Sequence, residues 1–214
     1  MKSPRATIAL AVLVIAATAQ AAKIDMRDPR RAVGREDDVR VDAELAQDSV
    51  STHSKIGVVY QIQNLTQVPI ALADKISDST YDSDTQTITI SFGAEVPDGA
   101  TMPHLVVIAP GEAKTFRGCG SLNIPTPNIR SPWTPLPRFV QVKVTVLRDL
   151  EPFAALIEQQ NKTAAAPPLN DEGFDRWVNS VQSVFLNLIP VRFDGSKRNE
   201  SGVDAEQGSP AGSF

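Results

Sequence analysis

The chain has 214 residues, with 21 Lys and Arg residues against 25 Asp and Glu residues, a formal net charge of −4 and a single cysteine. An acidic chain without a Lys/Arg-rich run has no electrostatic means of holding nucleic acid or an anionic membrane surface, so neither partner is expected. A lone cysteine excludes an internal disulfide, and the length suits one domain, with or without appendages, whose core is held by apolar burial.

The first 21 residues have the pattern of an export signal. Lys2 and Arg5 precede an uncharged run over residues 6–19, and residues 19–21 (AQA) form a small-x-small cleavage site. The apolar run is shorter than the about 20 residues that a membrane-spanning helix requires. We therefore expect a cleaved signal peptide over residues 1–21, no membrane anchor, and a mature protein that is periplasmic or secreted, since the Ala-rich signal is typical of bacteria.

The middle of the chain has the pattern of a β-protein. Residues 22–36 are mixed in charge and aperiodic, which predicts a flexible leader. Alternating apolar residues then predict short strands joined by turns. These strands cover residues 39–45, 56–63, 68–72, 86–92, 105–108, 113–116 and 138–147. With no helix between them, they predict an antiparallel β-sandwich over residues 37–148. The last strand should turn Phe139 inward, together with the valines Val140, Val142, Val144 and Val146.

The pattern becomes helical after residue 148. Pro152 stands at the first turn of a predicted helix that continues to Gln160, a position where its missing N–H costs nothing. Asn170 is the predicted N-cap of a second helix, over residues 171–189. The two helices would form a C-terminal helical pair over residues 149–190.

The second predicted helix has an uninterrupted apolar stripe that ends before Pro190. The stripe contains Phe174, Trp177, Val178, Val181, Val184, Phe185 and Leu188. Packing of this stripe inside the protein is favoured, and docking on a partner subunit is the alternative. Residues 191–214 are polar and poor in apolar side chains, which predicts a disordered tail.

One stretch of the strand region carries a family resemblance. Residues 56–70 (IGVVYQIQNLTQVPI) resemble the second-strand region of bacterial exported immunoglobulin-like domains, in which the strand often ends in a polar turn followed by Pro-Val or Pro-Ile. The turn at residues 110–112 (PGE) before a short strand is similar to the same class. The resemblance covers residues 37–148 and implies an immunoglobulin-like fold and nothing catalytic.

The candidate binding feature is the segment 118–137 (GCGSLNIPTPNIRSPWTPLP). Its five prolines exclude a helix or a strand ladder and make the segment stiff and extended. The side chains expected to contact a protein partner are Ile129, Arg130, Trp133 and Leu136. The alternative is that Trp133 folds back to cover an open sheet edge.

A second candidate site consists of Met102, His104 and Cys119. Thioether, imidazole and thiolate ligands together suit copper, and a periplasmic metal-binding or thiol protein that uses His104 and Cys119 is the alternative function. The order and spacing of the three residues match no copper motif. Cys119, between two glycines, is more simply a small buried or half-exposed residue, so no cofactor is expected.

Other polar residues are interpreted as structural. The acidic groups at 36–38 and at Asp78, Asp82 and Asp84 lack the spacing of a calcium loop and are interpreted as solvated turns. Three asparagines lie in N-x-Ser/Thr triplets and would be glycosylation acceptors only in a eukaryotic source. These asparagines are Asn64, Asn161 and Asn199.

These patterns together predict a function class. The two histidines, His53 and His104, fit no metalloprotease or nucleophile pattern, so an enzyme is not expected. We expect an exported immunoglobulin-like β-sandwich with two C-terminal α-helices. It would act as a non-catalytic binding or accessory module whose partner is a protein of the cell envelope.

Overall fold

A computed structural model describes residues 28–51, 55–74, 77–95, 101–121, 135–163 and 167–194. These residues form thirteen strands, two α-helices and one short 3-10 helix. In chain order the strands are β1 (Arg31–Glu36), β2 (Val39–Leu45), β3 (Ser49–Val50), β4 (Lys55–Asn64), β5 (Ile70–Asp74), β6 (Asp78–Asp82), β7 (Thr87–Phe92), β8 (His104–Ile108), β9 (Ala113–Ser121), β10 (Phe139–Leu147), β11 (Val181–Phe185), β12 (Ile189–Pro190) and β13 (Arg192–Phe193). The helices are the 3-10 helix Glu151–Phe153, α1 (Ala154–Thr163) and α2 (Asp171–Ser180).

The first sheet has the strand order β1-β2-β4-β9 and is antiparallel throughout. β1 and β2 form a hairpin whose turn holds Asp37 at a φ of 48°, a conformation that Asp tolerates better than most residues. β2 pairs with β4 over its whole length, from Val39 opposite Asn64 to Leu45 opposite Val58. Alternate residues of β4 are buried, so this sheet has one face toward the core.

The second sheet is built around β10. β7 lies parallel to residues 139–144 of β10, and β5 pairs antiparallel with Val146 and Leu147. β11 and β12 pair with residues 143–147 and 139–140. β11 pairs with β10 residues that also pair with β7 and with β5. β7 and β5 therefore lie along one edge of β10, and β11 and β12 lie along the other edge. β6 extends the sheet beyond β7, and β8 extends it beyond β5.

Gly93 marks the point at which β7 gives way to β5 along this edge. Its φ is 81°, and a Cβ atom there would lie 2.1 Å from the carbonyl oxygen of Thr145. Glycine alone can turn the chain at so short a distance from another backbone. The change of partner along β10 therefore requires this residue.

The inward faces of the two sheets share one apolar core. The four valines of β10 that the sequence predicts to face inward are fully buried in this core. The other members from β2, β4, β5, β7 and β8 are Val39, Val41, Ala43, Leu45, Ile56, Val58, Tyr60, Ile62, Ile70, Leu72, Ile88, Ile90, Phe92 and Ile108.

The helices cover the other face of β5 and β8, where they form a second apolar cluster. Trp177 of α2 is 1% exposed, and its indole N–H donates to the carbonyl oxygen of Ala94 at 3.1 Å. The side-chain oxygen of Gln160 in α1 accepts the N–H of Leu105 at 3.1 Å. This bond covers part of the free edge of β8, where an unpaired strand would invite aggregation. Neither α1 nor α2 is long and apolar enough to cross a membrane, and the described residues contain no other candidate.

Asn64 connects the two sheets through its side-chain amide, which donates two hydrogen bonds and accepts two. Its NH2 group donates to the carbonyl oxygens of Val68 at 2.8 Å and Ile108 at 3.0 Å. Its side-chain oxygen accepts the N–H and the hydroxyl of Thr66, at 2.9 and 2.7 Å. The residue is 0% exposed, so in the folded chain its N-x-Thr triplet serves turn structure and is closed to glycosylation.

The predicted mainly β chain with antiparallel sheets and two helices is confirmed at that level. The strands predicted at 39–45, 56–63, 86–92, 105–108 and 138–147 are present with bounds that differ by at most one residue. β9 is longer than the predicted strand 113–116, and the β7–β10 and β3–β13 pairs are parallel. Asp78 and Asp82, interpreted as turn residues, begin and end strand β6.

The predicted flexible leader over residues 22–36 is wrong for its second half. Residues 31–36 form β1, which pairs with β2 along its whole length. The buried residues of β1 are Ala32 and Gly34. Alanine and glycine are too small to give the alternation of large apolar residues that predicts a strand. A Cβ at Gly34 would lie 2.6 Å from the carbonyl oxygen of Phe185, so this strand also packs closely against β11.

The predicted helix over residues 171–189 is wrong beyond Ser180. Asn170 does cap the helix, since its side chain accepts the N–H of Gly173 at 2.8 Å. The chain then continues as β11 and β12 along β10, so the helical pair predicted over 149–190 ends at this point. The edge of β10 supplies hydrogen-bond partners that override the local helical pattern.

The predicted disordered tail over residues 191–214 is wrong at its start. Arg192 and Phe193 pair with β3, and Val191 and Phe193 pack against the main core. The rest of the predicted tail, from residue 195, and the predicted signal peptide lie outside the described residues.

Replacing Asn64 by alanine is expected to lower the free energy of unfolding by about 3–5 kcal/mol, because each buried group left without a partner costs about 1–3 kcal/mol. Urea denaturation followed by circular dichroism measures the change. Asn161→Ala, at an exposed site on α1, is the matched control and should change stability by less than about 0.5 kcal/mol. A loss below about 1 kcal/mol for Asn64→Ala would contradict this role.

A matched pair of substitutions separates strand from helix at residues 181–185. In β11 Val184 is fully buried, whereas Phe185 is 54% exposed. Val184→Ala is therefore expected to cost about 2 kcal/mol and Phe185→Ala less than about 1 kcal/mol, measured by the same denaturation. On a helix that buried the predicted stripe, both residues would face inward and the phenylalanine would cost more.

Candidate functional site

A cavity lies beside the end of β5 and the start of β6 in the second sheet. β5 pairs directly with β10, whereas β6 is separated from β10 by β7, so β6 lies one strand farther from β10 than β5 does. A cavity of about 400 Å³ lies between the end of β5, residue Ser77 and residues 116–119 of β9. We call it the aromatic cavity. Its lining residues are Tyr60, Ala73, Asp74, Ser77, Phe92, Phe116, Arg117, Gly118 and Cys119.

Three aromatic rings form the inner wall of the aromatic cavity. The Tyr60 ring stacks on those of Phe92 and Phe116, with centroid distances of 4.4 and 5.4 Å and interplanar angles of 23° and 19°. Tyr60 and Phe92 are buried, whereas Phe116 is half-buried. The part of the stack that a ligand can reach most readily is therefore Phe116.

Glycines bring β9 close to the second sheet beside this stack. Gly118 and Gly120 follow Phe116 on the inward face of the strand. A Cβ on Gly118 would lie 2.3 Å from Cε1 of Phe92, and one on Gly120 would lie 2.5 Å from Oγ of Ser79. A larger residue at either position would push the two sheets apart, so the glycines set the width of the aromatic cavity.

Asp74 is the charged side chain that faces the space between the sheets. Ile70 and Leu72 of β5 point into the main core, and Asp74 continues this alternation at the open end. Burial raises the pKa of the Tyr60 hydroxyl, and the nearby Asp74 carboxylate raises it further. Among the described residues, Asp74 forms no ion pair with a Lys or Arg side chain.

Cys119 borders the aromatic cavity, but strand alternation directs its side chain to the outer face of the first sheet. Its neighbours Gly118 and Gly120 face inward, and Cys119 itself is exposed. Its carbonyl oxygen accepts a hydrogen bond from the Ser77 hydroxyl, which links β9 to the start of β6. The thiol is thus accessible to solvent.

The structure does not bring the three proposed metal ligands together. Met102 is fully buried in the apolar cluster under the helices, near Trp177. His104 is exposed at the start of β8, directly opposite Asp74 on β5. Within the described parts of the chain, no group of three or more His, Cys, Asp and Glu side chains is placed to hold a metal ion. Met102 serves apolar packing.

The proline-rich segment 118–137 is described only at its ends. Ile129, Arg130 and Trp133 lie outside the described residues, and Leu136 is 40% exposed. Both described ends meet β6: Gly120 lies against Ser79, and the carbonyl oxygen of Pro135 accepts the Tyr81 hydroxyl at 2.5 Å. The start of the predicted binding segment therefore lines the aromatic cavity, whereas Pro135 contacts the opposite end of β6.

The sequence carries one signal for this cavity, in the spacing of residues 116–120. Glycines at alternate positions in a strand mark the close approach of another backbone or of a ligand. Phe116, Gly118 and Gly120 have this spacing, with an aromatic residue at its start. Asp74 and Phe92 carry no comparable signal, because only the pairing of the strands brings them to the same place.

Comparison with protein-family models, with curated proteins and with solved structures finds no significant match to this chain.

Gly118→Ala is expected to lower the free energy of unfolding by about 1–3 kcal/mol, because its methyl group would overlap the Phe92 ring. A double-mutant cycle tests the contact: in a Phe92→Leu background the cost of Gly118→Ala should fall by at least half. Thermal or urea denaturation measures all four proteins. An equal cost in both backgrounds would show that the two residues are not in direct contact.

Proposed function

We propose that the protein is an exported, non-catalytic binding module of the cell envelope, and that the aromatic cavity holds a side chain of a protein partner. The observation that carries the proposal is the aromatic cavity itself, which places a half-buried phenylalanine at the end of a ring stack between the two sheets. A volume of about 400 Å³, with an aromatic inner wall and polar groups at its border, lies in the range that is typical of binding sites.

The position of the proline-rich segment supports the same proposal. Its first residues, Gly118 and Cys119, line the aromatic cavity, and Pro135 accepts a hydrogen bond from Tyr81 at the opposite end of β6. A stiff segment with Ile129, Arg130, Trp133 and Leu136 would add apolar contact area with little loss of entropy on binding. Clustered aromatic and arginine side chains are also the residue types that dominate binding energy at protein interfaces.

The location and the fold class in this proposal come from the sequence. The first 21 residues support export, and the exported immunoglobulin-like domains that residues 56–70 resemble support an immunoglobulin-like sandwich. Two sheets that share a core are consistent with that class. The non-catalytic role follows from histidines that match no nucleophile or metalloprotease pattern.

Site-specific photo-crosslinking tests the proposed binding site. With p-benzoylphenylalanine in place of Phe116, irradiation of cells of the source organism is expected to link the protein to one partner. The matched control carries the same group in place of Thr115, the neighbouring residue on the outer face, and should give no such adduct. No adduct from position 116, or equal adducts from both positions, would contradict the proposal.

The partner recovered by crosslinking should then bind the purified protein directly. Phe116→Ala is expected to weaken this binding about tenfold or more, measured by calorimetry, because a central aromatic contact is lost. Circular dichroism of the variant should match that of the wild type, which separates loss of binding from loss of folding.

A further inference from the structure

We infer that the aromatic cavity accepts a basic side chain of the protein partner, with arginine preferred over lysine. The inference rests on the proposed function and adds the chemistry of the group that is bound. It depends on one carboxylate, one aromatic surface and one stretch of strand edge, all of which border the aromatic cavity.

The carboxylate is that of Asp74. It is exposed, it faces the space between the sheets, and among the described residues it has no Lys or Arg partner. Arg117 also borders the aromatic cavity, but it alternates with Phe116 and Gly118 and so projects from the opposite face of β9. A ligand that enters between the sheets therefore meets a negative charge, which favours a cation.

The aromatic surface is the ring stack that ends at Phe116. The face of an aromatic ring carries partial negative charge and attracts a cation that lies over it. A guanidinium group is planar and stacks on such a face while its methylene stem contacts the rest of the wall. The phenylalanine and the Asp74 carboxylate therefore favour the same kind of ligand.

Among the described residues, β9 is the outer strand of the first sheet, and its edge away from β4 supplies carbonyl acceptors for the remaining N–H groups of a guanidinium. The Ser77 hydroxyl reaches the carbonyl oxygen of Cys119, which shows that this carbonyl points away from β4. In an antiparallel strand, alternate residues point their main-chain groups to the same edge, so the Arg117 carbonyl points that way as well. A guanidinium has five N–H donors in a fixed fork, whereas an ammonium offers a compact charge, and the arrangement therefore favours arginine.

The experiment compares matched small ligands on the purified protein. Nα-acetylarginine methylamide, its neutral isostere Nα-acetylcitrulline methylamide and Nα-acetyllysine methylamide are titrated separately, and amide shifts of Gly118 and Gly120 are followed by NMR. The arginine amide is expected to bind about tenfold more tightly than the citrulline amide and measurably more tightly than the lysine amide.

Two variants assign the charge effect. Asp74→Asn should reduce the affinity for the arginine amide to within about twofold of that for citrulline. Asp84→Asn removes the same charge from an exposed turn and should leave the affinity unchanged. Asp74 is exposed at a strand end, so its variant is expected to fold.

The outcomes separate this inference from the proposed function. Equal binding of arginine and citrulline, no effect of Asp74→Asn, or no saturable shift with any ligand would overturn the preference for a basic side chain. Lysine binding as tightly as arginine would overturn the preference for arginine. The proposed function is tested independently, since crosslinking from position 116 does not depend on the charge of the partner.

Discussion

The architecture depends on the hydrogen-bonding requirement of one strand, β10. Its four inward valines lie in the main core, and on its other face Thr145 and Leu147 are buried while Phe139, Gln141 and Lys143 are half-buried, so most of the strand is shielded from water. Buried main-chain groups need partners, and both edges of β10 must therefore be paired. Pairs of short strands meet this requirement, with β7 and β5 along one edge and β11 and β12 along the other.

The division of one β10 edge between two strands also creates the candidate site. Because β7 takes the first part of the edge and β5 the second, β6 lies one strand farther from β10 than β5 does. The aromatic cavity lies at this offset, bordered by Asp74 and Ser77, and the glycines of β9 bring the first sheet close to it. The position of the aromatic cavity thus follows from strand pairing, and its aromatic wall consists of the core residues Tyr60 and Phe92 with Phe116 packed against them.

The strands that line the aromatic cavity are held in place at both of their ends, which suits a binding site. At the end far from the cavity Asn64 ties β4 to β8, and beside the cavity Gly120 packs against Ser79 of β6. A preformed site loses little entropy when a ligand binds, so more of the contact energy contributes to affinity. The proline-rich segment starts at the aromatic cavity, with Gly118 and Cys119 in its lining, and this connects the two binding features of the proposed function.

The sequence by itself determined the elements whose residues carry a complete local pattern. β2, β4, β7 and β10 alternate clearly, and Pro152 and Asn170 mark helix starts, so these elements could be predicted.

The tertiary structure alone decided the remaining features. The apolar residues at 181–185 fit both a helix and a strand, and the open edge of β10 selected the strand. β1 was concealed because its buried residues are small. Asp74, Phe92 and Phe116 are distant in sequence. Only the pairing of β5, β7 and β9 with their neighbouring strands brings these three residues together. Strand pairing depends on contacts between distant segments, which no local sequence pattern specifies.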